Sequence, residues 1–191
     1  MKLRSLLFGC LLAFAVAAPA QASLIVYRTV LNGATETPSI GSPATGSAKV
    51  TYGTLLHTLL IELTWVGLIG GPAAAGHIHC CTAPGSNVIV AVPFLGLPAA
   101  ASGSYINNVD LTALASYNGA FVTAHGGTAA SAEADLIAGI NAGMAYVNLH
   151  DAAFPGGEIR GFLAQVPQPG TIALLFAGLG AIGAMRRRRK A

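Results

Sequence analysis

Between residues 24 and 166, short apolar runs alternate with Gly, Pro, Ser and Asn punctuation. In the clearest run Leu59, Ile61, Leu63 and Trp65 alternate with Leu60, Glu62 and Thr64. A period of two puts successive side chains on opposite faces. This segment therefore predicts a half-buried strand over 58–66, with Trp65 on the core face. The same rhythm predicts strands at 24–31, 46–52, 75–80, 87–94, 102–109, 144–150 and 157–165. Pro155-Gly156-Gly157 is strong turn chemistry and joins the last two as an antiparallel hairpin. Residues 129–142 read differently. They are alanine-rich, carry Glu133 and Asp135 early, and set Leu136, Ile137 and Ile140 at helical spacing before Gly143. A short helical turn is expected at 111–117. Eight short strands with one inserted helix predict an all-β fold, a Greek-key or immunoglobulin-like β-sandwich of two sheets.

The two ends break this rhythm. Lys2 and Arg4 precede an apolar stretch from Leu6 to Val16, and Ala20-Gln21-Ala22 is a small-x-small site. Residues 1–22 thus predict a signal peptide, helical in the precursor and cut between Ala22 and Ser23. At the other end Pro167-Gln168-Pro169-Gly170 stops any regular element. Thr171 to Met185 then run without a charge, and Arg186, Arg187, Arg188, Arg189 and Lys190 follow. Fifteen helical residues span about 22 Å, short of a bilayer core but able to insert if the arginines snorkel. The division is a signal segment 1–22, a domain over 23–166, and a tail over 167–191 with a single membrane helix at 171–185.

Charge sharpens this division. Of 191 residues only 9% are charged and 53% are hydrophobic, which excludes a highly charged disordered chain. The formal +3 resides in the ends: the middle holds only Arg28, Lys49 and Arg160 against seven acids. A nucleic-acid partner is therefore not expected.

Candidate chemistry is concentrated in three segments. On a strand, His77, His79 and Cys81 would share a face, away from Ile78 and Cys80. Two imidazoles on one strand face can grip copper or zinc, or they can simply hydrogen-bond on a polar face. His150 ends the Val147/Leu149 strand at a loop edge, where it could supply a third ligand. Glu158 and Arg160 share a face of the last strand. They read first as a structural ion pair fixing the hairpin, and second as placing Glu158 in a metal or acid–base role. The candidate metal set is His77, His79 and His150 with Glu158 or Cys81. Cys10 leaves with the signal segment, so Cys80 and Cys81 remain as neighbours. A disulfide between them, thiolate ligation beside the histidines, and a bridge to a second chain are all open, with the first preferred. His57 and His125 have no evident sequence partner and read as surface residues.

The tail, with Val166-Pro167-Gln168-Pro169-Gly170-Thr171, an apolar helix and an arginine cluster, resembles the PEP-CTERM sorting signal of Gram-negative bacteria. Gln168 stands where that motif carries an acid. The resemblance implies membrane residence during sorting, processing by an exosortase, and delivery to the envelope, surface or extracellular matrix.

The middle resembles the CHRD domain. The resemblance rests on Leu31-Asn32-Gly33-Ala34-Thr35-Glu36-Thr37-Pro38, Thr45-Gly46-Ser47-Ala48, Gly76-His77-Ile78-His79, and Tyr146-Val147-Asn148-Leu149-His150 followed by Pro155-Gly156-Gly157-Glu158-Ile159-Arg160-Gly161. It implies an extracellular β-sandwich. No nucleophile–base pattern or phosphate loop is evident, so the expected role is a non-catalytic surface or matrix module that binds exopolysaccharide or a surface protein. The alternative is a copper- or zinc-binding domain, in its sharpest form a superoxide-dismutase-like oxidoreductase, since His77-Ile78-His79 is similar to the copper-binding strand of Cu,Zn superoxide dismutases, which are also exported β-sandwiches.

Overall fold

The computed structural model describes residues 23–167 and 178–179. The signal segment and most of the sorting tail lie outside the described residues. Among the described residues no helix is long and apolar enough to cross a membrane.

The strands are β1 (Leu24–Asn32), β2 (Thr45–Gly53), β3 (Thr58–Val66), β4 (Ala75–Cys80), β5 (Val90–Pro93), β6 (Gly103–Asp110), β7 (Ala145–His150), β8 (Ile159–Phe162) and β9 (Ala164–Gln165). Two helices, α1 (Gly119–Ala124) and α2 (Ala129–Asn141), fall between β6 and β7. The strands form a single antiparallel sheet in the order β5-β4-β7-β8-β1-β2-β3-β6, with β9 also on β1. This differs from the expected pair of separate sheets. Asn32 of β1 pairs with Arg160 of β8, and Tyr27 pairs with Gln165 of β9, so the two halves stay hydrogen-bonded through β1.

The sheet curls until its outer strands meet through side chains. Phe94, just after β5, stacks on Tyr105 of β6 at 5.3 Å between centroids. The Tyr105 hydroxyl donates to the Leu95 carbonyl. The curl encloses Leu59, Ile61, Leu63 and Trp65 of β3 with Val50, Ile78, Val147 and Leu149. Trp65 buries its ring there while its Nε1–H donates to the Ala100 carbonyl at 2.9 Å, as a buried indole requires. The alternation read along 58–66 is thus the core face of β3.

The helix α2 begins with a capping box, in which Thr128 and Ser131 satisfy each other's backbone N–H. Gly143 follows it at φ +68°, a left-handed stop that suits glycine. Its inner face, Leu136 and Ile140, joins the core, while Asn141 and Glu133 accept the hydroxyls of Tyr27 and Tyr52. α1 was not anticipated: its six residues are too few for a periodic signal, and it is set by the Asn118 cap and the burial of Phe121.

Gly161 of β8 marks a close approach of two strands. A Cβ there would sit 2.3 Å from the Val30 carbonyl oxygen of β1. Backbone cannot swing aside as a side-chain tip can. Gly161→Ala should therefore lower stability by about 2 kcal/mol, read as a lower urea midpoint at unchanged slope. An unmoved midpoint would show that β1 and β8 can separate freely.

Candidate functional site

The register of β4 on β7 pairs Ala75 with His150, His77 with Asn148 and His79 with Tyr146. Residues two apart share a face. Gly76, Ile78 and Cys80 therefore meet Ala145, Val147 and Leu149 in the core, and the histidines stand on the opposite face. A bulge between Ile78 and His79, against β5, re-aims His79 at this point. β7 is buried on both faces because segments 81–89 and 151–158 fold over its second face.

His77, His79 and His150 come together there, with one ring nitrogen from each within 4.8 Å of the others. The Nδ1 of His77 lies 3.2 Å from the Nε2 of His150. His79 donates from Nδ1 to the Val88 carbonyl at 2.7 Å, and His150 donates from Nδ1 to the Pro155 carbonyl at 3.0 Å. Those bonds put the proton of His79 and of His150 on Nδ1 and leave each Nε2 as an acceptor, that of His150 facing the His77 Nδ1. The Nε2 of His79 is buried and has no partner. Tyr146 stacks on the His79 ring at 4.7 Å with planes 6° apart. Its hydroxyl accepts from the Val88 N–H, so Val88 is bound to both rings of the stack.

Burial pushes His77 and His79 down to about 4, with smaller contributions from neighbouring positive groups, and His150 is also lowered, chiefly by burial. At neutral pH the cluster is three uncharged imidazoles. Such a set can ligate a borderline metal ion or accept hydrogen bonds from a partner.

The other candidates lie elsewhere. Glu158 precedes β8 and accepts from the Ser42 hydroxyl and from the N–H groups of Ile69 and Gly70. Burial raises it, but the bonds from Asp151, Ser42, Ile69 and Gly70 outweigh burial and hold it below its ordinary value. Asp151 is raised, first by burial and then by its bond to Glu158 and that carboxylate's charge. Cys81 is joined to Cys80 in a vicinal disulfide, and both sulfurs pack against Gly139 of α2. Neither Glu158 nor Cys81 belongs to the histidine cluster.

The expected Glu158–Arg160 pair is also replaced. Arg160 donates from Nε and Nη2 to Glu36, at 2.6 and 2.5 Å, and both side chains are buried. Its Nη2 also reaches Asn87, and its guanidinium lies 4.6 Å from the Tyr146 ring centroid. It thereby ties the turn after β1, the 81–89 segment and β7 together beside His79. Sequence reasoning missed this partner. No local spacing signals the pair, because 124 residues separate Glu36 from Arg160. His57 and His125 are not free surface residues either. They bind Glu133 and Asp135 of α2, at 2.9 and 2.8 Å.

A second surface lies on the outer face of β1, β2, β3 and β6. It is an open hollow of about 710 Å³ lined by Arg28, Val30, Lys49, Glu62, Ser104 and Ile106, among others. Lys49 and Glu62 pair at 2.5 Å, and the hydroxyls of Ser47 and Thr64 bond at 2.9 Å. Val30 and Ile106 are 65% and 70% exposed.

The CHRD domain family model matches residues 27–163, from the core of β1 to the end of β8. This chain belongs to the CHRD family. The PEP-CTERM protein-sorting motif matches residues 165–190, directly behind the CHRD domain. That motif marks a protein exported across the inner membrane to the cell envelope or surface and processed by an exosortase. No curated protein and no solved structure matches the chain. Within the CHRD domain, the histidine face and the Glu36–Arg160 pair draw on segments from both ends of the matched region.

Proposed function

We propose that this CHRD protein works at the cell surface or in the extracellular matrix as a non-catalytic binding module. Its partner is an exopolysaccharide or a surface protein, and its contact face is the outer hollow on β1, β2, β3 and β6. The observation that carries the reading is the composition of that hollow. Hydroxyls and a charged pair that can hydrogen-bond a polar partner stand beside two apolar side chains with nothing over them. Mixed polar and apolar surface of this kind suits reversible recognition. The sorting motif supports the location.

The test is retention. The protein and its Val30→Glu/Ile106→Glu variant are produced in cells that make an extracellular matrix. The parent should partition with the washed matrix, and the variant should be released about tenfold more while melting at the same temperature. Equal retention of both would remove the hollow from consideration. Substrate turnover by the purified protein would overturn the non-catalytic reading.

A further inference from the structure

We propose that His77, His79 and His150 form a transition-metal site that takes one zinc(II) or copper(II) ion, which goes beyond the binding-module reading and does not depend on it. The first argument is distance. Imidazole nitrogens about 2.0–2.1 Å from a tetrahedral ion stand about 3.3 Å from each other. The His77 Nδ1 and His150 Nε2 are already 3.2 Å apart. The whole set lies within 4.8 Å, so a small ring rotation completes the tripod.

The second argument is orientation. Metal-bound histidines commonly donate their other ring N–H to a backbone carbonyl, which fixes the ring and its free lone pair. His79 does so to Val88 and His150 to Pro155. The two carbonyls come from the two segments that cover β7, so the covering loops and the ligands are built as one unit.

The third argument is the unpaired atom. His79 is only 8% exposed, and its Nε2 has no hydrogen-bond partner. A buried polar atom left unpaired is costly, and an ion at the cluster would supply what this nitrogen lacks. Stacking on Tyr146 and the Val88 clamp hold that nitrogen in place at that cost.

The donor set selects the ion. Three neutral imidazoles favour zinc or copper over calcium or magnesium, which take oxygen ligands. Glu158 and Cys81 are engaged elsewhere and add no anion. His77 and His150 are only partly buried, so the ion would keep at least one position open toward solvent.

The full chain, purified in detergent and freed of metal with EDTA, is titrated with zinc sulfate by calorimetry. One ion per chain should bind. His79→Gln and His150→Gln should each weaken binding by about 100-fold or more, and His125→Ala, remote from the cluster, should not. Circular dichroism verifies that each variant is folded. Because His79 is buried, a second measurement stands on the parent alone. Copper(II) bound to it should show hyperfine coupling to three nitrogens in electron paramagnetic resonance. Absence of saturable binding by folded protein would overturn the site. So would binding that survives both glutamine variants, or a copper spectrum with fewer nitrogens. Matrix retention by the outer hollow is measured separately and would stand or fall by itself.

Discussion

Arg160→Ala should cost this fold about 3–5 kcal/mol, the range expected when one partner of a buried ion pair is removed. Arg160 is 1% exposed and Glu36 5%. Both bonds from the guanidinium fall on one carboxylate oxygen of Glu36, and the other oxygen is buried without a partner. Glu36 is already raised, chiefly by burial, with Arg160 opposing. Removing Arg160 leaves burial unopposed, so Glu36 must take up a proton or draw water into the core. The same substitution takes the donor from the Asn87 amide oxygen and the cation from the Tyr146 ring. Arg160→Lys should recover only part of the loss, because an ammonium cannot present the planar fork that reaches Glu36 and Asn87 together. Arg160→Met with Glu36→Leu should be more stable than Arg160→Ala, because no charge is then left alone. Urea unfolding of the four proteins measures all of this. A loss below about 1 kcal/mol for Arg160→Ala would show that the carboxylate finds another partner.

That pair also shows where the sequence is legible and where it is not. Local rhythm was enough for most strands: 58–66 and 75–80 coincide with β3 and β4, and helix 129–142 with α2 to within one residue. Rhythm failed where distant groups decide the conformation. The strand expected over 87–94 shortens to Val90–Pro93, because Ser86, Asn87 and Val88 are turned aside to meet Arg160, Tyr146 and His79. The strand expected over 157–165 starts only at Ile159, since Glu158 is drawn to Ser42, Ile69 and Gly70, and it is interrupted at Leu163. Sheet closure was equally out of reach, for the link through β1 depends on pairings more than a hundred residues apart. At the histidine face, strand periodicity put His77 and His79 together and named His150. It could not show that Glu158 is otherwise bound, or that two backbone carbonyls orient the rings.

Acidification should destabilise the metal-free protein by on the order of 3 kcal/mol between pH 7 and pH 4. In the unfolded chain each histidine takes up its proton near its ordinary value of 6.5, whereas His77 and His79 in the fold resist until about 4. Between those values the unfolded chain binds more protons than the folded one. Stability is therefore full above about 6.5 and falls as the pH drops toward 4. Burial is the leading cause for both rings, and the positive charges of His150, His79 and Arg160 act in the same direction. Glu158, held low, adds a further loss at more acid pH, while Asp151 and Glu36, held high, lose stability as pH rises and so oppose it. Urea unfolding at pH 7.0, 5.5 and 4.0 in the presence of EDTA isolates the proton effect from any bound ion. His77→Asn/His79→Gln should flatten the dependence over this range even if it lowers the stability at pH 7. An unchanged slope in that variant would move the cause to the carboxylates. The two outcomes are separable because carboxylates titrate mainly below the range in which unfolded histidines first take up protons.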